Sequence, residues 1–201
     1  NILSDQASDG DIAYDPYRVL YTVTTGSSFV YFGEDSFDPD LPEYRAFLTF
    51  PLDGFGGRDV VPSNAVIVDA TLEVFVDRVS FASVVPSFID LVQYPFRGLS
   101  SADYDTTPLI FRTIDFYSTD YYVPIDVTPL MQEAQLQPGL VDFQARFLVD
   151  TRGTLSRSRG PSTVADRIVG SQPRVLDNLT PNRGPSGSQS APPPDPATRK
   201  R

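Results

Sequence analysis

The chain has 201 residues, is 40 % hydrophobic and 12 % aromatic, and carries a formal charge of −10. That is enough for one all-β domain with a sizeable core and appendages. It holds no cysteine and no histidine, which excludes disulfides, thiolate and imidazole metal sites, cysteine nucleophiles and Ser-His-Asp catalysis.

The one lysine is Lys200, so any catalysis would fall to tyrosines or paired carboxylates. Among 26 acidic residues a pair at glycosidase spacing arises by chance and carries no information. The expectation is a protein that is not an enzyme. No apolar run reaches the ~18 residues of a membrane span. Residues 1–10 lack the basic and apolar regions of a leader, and a secreted chain whose leader has been removed starts in the same way. Charge is uneven, with 7 arginines against 23 acidic residues in 1–150 and 9 basic against 3 acidic residues in 151–201. The acidic body argues against nucleic acid as a partner, and a basic arm beside it suggests arm-to-body contact within or between molecules.

In chain order, residues 1–17 are polar and Asp-rich and read as a loop or a loosely held first strand. Residues 18–25, "RVLYTVTT", read as a strand, the Gly26-Ser27-Ser28 turn follows, and residues 29–33 return. Residues 34–43 form an acidic loop. In "RAFLTFPL", Ala46, Leu48, Phe50 and Leu52 share one face, with Arg45, Phe47 and Thr49 on the other. In "AVIVDATLEVFV", Val66, Val68, Ala70, Leu72, Val74 and Val76 share the apolar face. Residues 87–94 give another strand, 109–112 a short one, and 121–127 an extended segment whose Pro124 favours a sheet edge. Thr128 suits an N-cap, Pro129 the first helical position, and Pro138-Gly139 the end of the single helix. Residues 141–150 alternate, with Val141, Phe143, Ala145, Phe147 and Val149 inward. Residues 151–166 are basic and loop-like, residues 167–176 supply one last strand, and the Pro/Gly/Ser-rich end cannot build a core. Eight to ten short strands and one helix predict an all-β, jelly-roll-type antiparallel β-sandwich. The predicted organisation is a polar segment over 1–17, the sandwich over 18–176 and an extended basic arm over 177–201.

"YRAFLTFPL", "VPSNAVIVDATLEVFV" and "IDVTPLMQEAQLQPGLVDFQARFLVD", in that order and spacing, resemble the DNRLRE-type domain over residues 21–176. The resemblance rests on Arg45, Phe50, Pro62, Ala65, Ile67, Ala70, Leu72, Asp126, Val127 and Thr128, and "SQPRVL" is similar to the closing strand. "RGTLSRSRGPSTVADR" stands where the family's namesake string would be. The resemblance implies a jelly-roll sandwich of secreted and surface proteins, with carbohydrate-binding, structural and adhesive relatives and no shared catalytic residues.

Two sets of residues are candidate sites. The loops bearing Glu34, Asp35, Asp38 and Asp40, and Asp103 and Asp105, offer the clustered oxygens that calcium takes, without EF-hand spacing. Their alternative is a solvated acidic surface. "DFYSTDYY" places Asp115, Tyr117, Asp120, Tyr121 and Tyr122 together, the combination of rings and carboxylates that suits a sugar face or a protein contact. Asn178 stands in an N-glycosylation pattern followed by Pro181. The expected function is a non-catalytic extracellular structural or adhesive subunit that self-associates through its basic arm. The alternatives are a module binding a polysaccharide and a jelly-roll virion subunit.

Overall fold

The computed structural model describes residues 1–35, 38–79, 83–117, 120–139, 141–151, 164–169 and 174–177. The arm over 178–201, with Asn178, and the basic stretch over 152–163 lie outside the described residues. Twelve strands and one α-helix are found among the described residues: β1 (Ile2–Leu3), β2 (Gly10–Asp15), β3 (Leu20–Thr25), β4 (Phe29–Glu34), β5 (Glu43–Pro51), β6 (Ala70–Arg78), β7 (Val85–Leu91), β8 (Ile110–Phe116), β9 (Tyr121–Asp126), α1 (Thr128–Leu136), β10 (Asp142–Val149), β11 (Val164–Val169) and β12 (Arg174–Asp177).

Every ladder is antiparallel. One layer runs β4-β11-β6-β9 and the other β5-β10-β7-β8. Counted from β4 as the first of eight strands, the layers read 1-8-3-6 and 2-7-4-5, the order of a jelly roll. β12 and β1 extend the first layer beside β6. The β2–β3 hairpin extends the second from the outer edge of β5.

The core lies between the layers. Val30 and Phe32 of β4 and Ala70, Leu72, Val74 and Val76 of β6 meet Ala46, Leu48 and Phe50 of β5 and Phe143, Ala145 and Phe147 of β10. Phe32 contacts Phe147 and Phe116 across the layers, with ring centroids 6.1 and 5.5 Å apart. Helix α1 closes one end with Leu130, Met131 and Ala134.

Several expectations are corrected. Residues 1–17 are not a loose leader to the sandwich, because β1 and β2 pair within it and Asp5, Asp9 and Asp11 are buried. Val66 and Val68 are exposed while Ile67 is buried, since the ladder of β6 begins only at Ala70. The preceding segment is held by the helix, whose Gln135 and Gln132 amides donate to the Ala65 and Ile67 carbonyls at 2.9 and 3.0 Å. Val141 precedes β10 and is exposed. Thr128 is not the cap of α1: its hydroxyl accepts the Ala70 N–H at 3.0 Å, and Asp126 accepts the Thr128 N–H at 3.0 Å. The closing strand over 167–176 is two strands, β11 and β12.

Candidate functional site

Phe47 and Thr49 alternate with Ala46, Leu48 and Phe50 and so lie on the second face of β5, where both are fully buried. The long connection between β7 and β8 folds over this face and forms a second apolar cluster of Ile12, Phe47, Val92, Tyr94 and Tyr104, with Tyr14 and Tyr21 packed against it. Arg45 stacks on the Tyr104 ring at 3.8 Å and donates to the Tyr104 carbonyl at 2.6 Å and to Asp105 at 2.8 Å. Arg146 donates to the carbonyls of Tyr104 and Thr106 at 2.9 and 2.8 Å. Two arginines from adjacent strands thus pin the connection to the sheet.

The carboxylates of the acidic loops take separate partners. No group of three or more metal-ligating carboxylates is found among the described residues. Asp35 accepts the Asp38 N–H at 3.4 Å and Asp38 the Asp40 N–H at 2.9 Å, so both shape the turn. Asp40 pairs with Arg18, which also bridges to Asp15 at 2.9 Å. Asp103 accepts the Ser100 N–H and hydroxyl, both at 2.8 Å, and is buried. Asp105 pairs with Arg45. Glu34 ends β4, where burial and the Glu43 charge raise its pKa.

The aromatic set separates as well. Asp115 accepts the Tyr117 hydroxyl at 3.0 Å at the end of β8. Tyr121 and Tyr122 are consecutive in β9, so the strand pleat sends them to opposite faces. Tyr122 packs edge-on to Phe75 of β6 at 5.2 Å. Asp120 adopts a left-handed φ of 61° at the entry to β9 and donates its N–H to the Val76 carbonyl at 2.7 Å. All three tyrosines are exposed.

Sequence reasoning missed what the N-terminal aspartates do. Asp9 accepts the Thr49 N–H of β5 at 2.8 Å, and Asp11 accepts the Tyr31 N–H of β4 at 3.2 Å. Each serves a strand amide beside the first hairpin. Burial pushes Asp9 up to about 7 and Asp11 up to about 6, against the hydrogen bonds that each accepts. Asp5 is held by Ser8 at 2.6 Å and by Arg97 at 3.2 Å. The density of Asp in residues 1–17 was the available signal, but side chains that bond backbone leave no periodic trace.

A groove of about 240 Å³ runs between the β2–β3 hairpin and the acidic loop, lined by Asp15, Arg18, Thr22, Thr24, Asp40 and Tyr44. Beside it β3 pairs only with β2 among the described residues, and no described strand covers its other edge. Leu20 and Val23 of β3 and the preceding Tyr17 and Val19 are exposed. No helix among the described residues is long and apolar enough to cross a membrane. No protein-family model matches this chain, and no curated protein matches it.

Proposed function

We propose that this chain is a non-catalytic structural or adhesive subunit of an extracellular surface assembly, built on a jelly roll of the DNRLRE type. One observation carries the reading. Four buried carboxylates are engaged in holding the sandwich: Asp9 and Asp11 on strand amides, Asp90 on Arg146, and Asp103 on its own turn. What the surface offers instead is an uncharged open strand edge with exposed apolar side chains. In this reading the basic arm adds contacts between acidic bodies, because its charge is opposite to theirs.

Electron microscopy of the native material tests it: filaments, sheaths or layers are expected, and isolated copies would refute it. A second reading, a module that binds a polysaccharide, is favoured by the groove beside β3, where carboxylates, hydroxyls, Arg18 and Tyr44 meet. If that reading holds, retention on a polysaccharide column is lost with Tyr44→Ala and Asp40→Asn.

A further inference from the structure

The sandwich has five strand edges among the described residues, and four are guarded. The outer side of β4 pairs with β5 at Gly33 and Glu34 and gives its Tyr31 N–H to Asp11. β1 is two residues long. β9 carries Pro124 inside the strand and Asp126 at its end. β8 carries Arg112 and Asp115, and Arg112 pairs with Asp126 at 2.7 Å, which ties these two edges together. Short strands, proline and charge are the devices by which soluble proteins block edge-to-edge pairing.

β3 has none of them. Its sequence, LYTVTT, is β-branched and aromatic, without charge, proline or glycine. It pairs with β2 in unbroken register from Gly10↔Thr25 to Asp15↔Leu20, so no bulge turns it aside. Residues 19–33 hold no charge, in a chain with 42 charged residues out of 201. The Gly26 N–H donates to the Asp9 carbonyl at 3.1 Å. The alternation of an antiparallel ladder then turns the N–H and C=O groups of Tyr21, Val23 and Thr25 towards the open edge.

We propose that this edge is a self-association surface, on which β3 of a second copy adds antiparallel. The inference rests on the assembly reading and names its contact. The two-fold register with the greatest overlap sets Val23 of one copy opposite Val23 of the other, Thr22 opposite Thr24 and Tyr21 opposite Thr25. Every pair is uncharged, so two bodies of like net charge meet without a like-charge pair in the ladder. The layer β8-β7-β10-β5-β2-β3 then continues into its copy. The chain's own arm is a poor occupant, because its 24 residues over 178–201 hold six prolines, which cannot donate to a ladder. Two-fold dimers, in which the same surface of both copies meets, are also the commonest oligomers. One pair of six-residue strands is a small interface, so the dimer is weak and forms at high protein concentration.

Sedimentation velocity over a concentration series tests this with the full chain. Val23→Pro removes an outward N–H and no bond to β2, so the fold is kept, which circular dichroism checks. Val23→Lys adds the missing charge. Both are expected to weaken dimerisation at least tenfold, while Thr113→Lys on exposed β8 leaves it unchanged. If the Val23 variants dimerise as the unchanged chain does, or if that chain stays monomeric at every concentration, the surface is wrong. Filaments in the native material would then leave the assembly reading standing on another contact. A β3-dependent dimer in purified protein whose native material consists of isolated copies would overturn the assembly reading and keep the surface. Capture of an unrelated strand with no self-pairing would also overturn it.

Discussion

Arg146 of β10 and Asp90 of β7 face each other in register, and the guanidinium reaches one carboxylate oxygen from two nitrogens, at 2.5 and 3.1 Å. Both side chains are about 95 % removed from solvent. The remaining donor of Arg146 goes to the Tyr104 and Thr106 carbonyls, so this pair links the sheet to the connection that covers it. Arg146→Ala leaves a buried carboxylate without its cation and should cost about 3–5 kcal/mol. Urea unfolding reads the loss, and limited proteolysis within residues 92–109 should accelerate. A loss below about 1 kcal/mol with unchanged cleavage would show that the pair does not hold the connection.

Leu72 is fully buried on β6, and Phe50 is fully buried on β5 in the facing layer. Leu72→Ala should cost about 2–5 kcal/mol, the transfer term plus the cavity left in a close-packed layer. Chemical denaturation measures it, and a cost under about 1 kcal/mol would mean that the layers repack freely at this point.

Two buried carboxyls and a half-buried one set a pH dependence. Burial raises Asp9 to about 7, Asp11 to about 6 and, with the Asp53 charge, Asp142 to about 6, from an ordinary value of 3.8. The folded state therefore binds more protons than the unfolded chain between about pH 4 and 7, and stability falls as pH rises through that window. Asp126 acts oppositely. Bonds from Thr128 and Arg112 hold it near 2, so its contribution is lost as pH falls from about 4 towards 2. The thermal midpoint should be highest near about pH 4–5 and decline towards pH 8. Asp9→Asn keeps an acceptor for the Thr49 N–H and should flatten that decline. An unchanged slope in the variant would remove Asp9 as its source.

Tyr121 and Tyr122 lie on opposite faces of β9, so their roles should separate. Tyr122→Ala loses the edge-on contact with Phe75 and should cost about 0.5–1.5 kcal/mol beyond the area lost. The double change Tyr121→Ala, Tyr122→Ala should dissociate an assembly if β9 is a contact, or abolish polysaccharide retention if it is a glycan platform. Neither effect would remove these residues from both readings.

Deleting residues 180–201 should leave folding intact and weaken self-association, and high salt should reproduce part of the effect, since exposed charge pairs are screened. Equal association of truncated and full chains at low protein concentration would make the arm a passenger.

The layer arrangement was largely legible in the sequence. Ala46, Leu48 and Phe50 alternate, as do Phe143, Ala145 and Phe147, and all six are buried as that period requires. The candidate sites were less legible. Asp38, Asp40, Asp103 and Asp105 look like clustered ligands along the chain, but their partners are backbone N–H groups and arginines from elsewhere: Arg18 for Asp40 and Arg45 for Asp105. Sequence proximity does not say which way a carboxylate turns.

By itself the sequence determined which residues could form strands, that one helix follows β9, and that histidine and cysteine chemistry is absent, because periodicity and composition are local properties. Only the tertiary structure decided that Phe47 and Thr49 lie beneath a long connection, that Asp9 and Asp11 serve amides of β5 and β4, and that β3 has an edge no described strand pairs with. Each of these depends on which distant segment arrives at a strand's second face or free side. A period of two residues specifies that a strand has two faces, and the fold of the whole chain supplies what covers them.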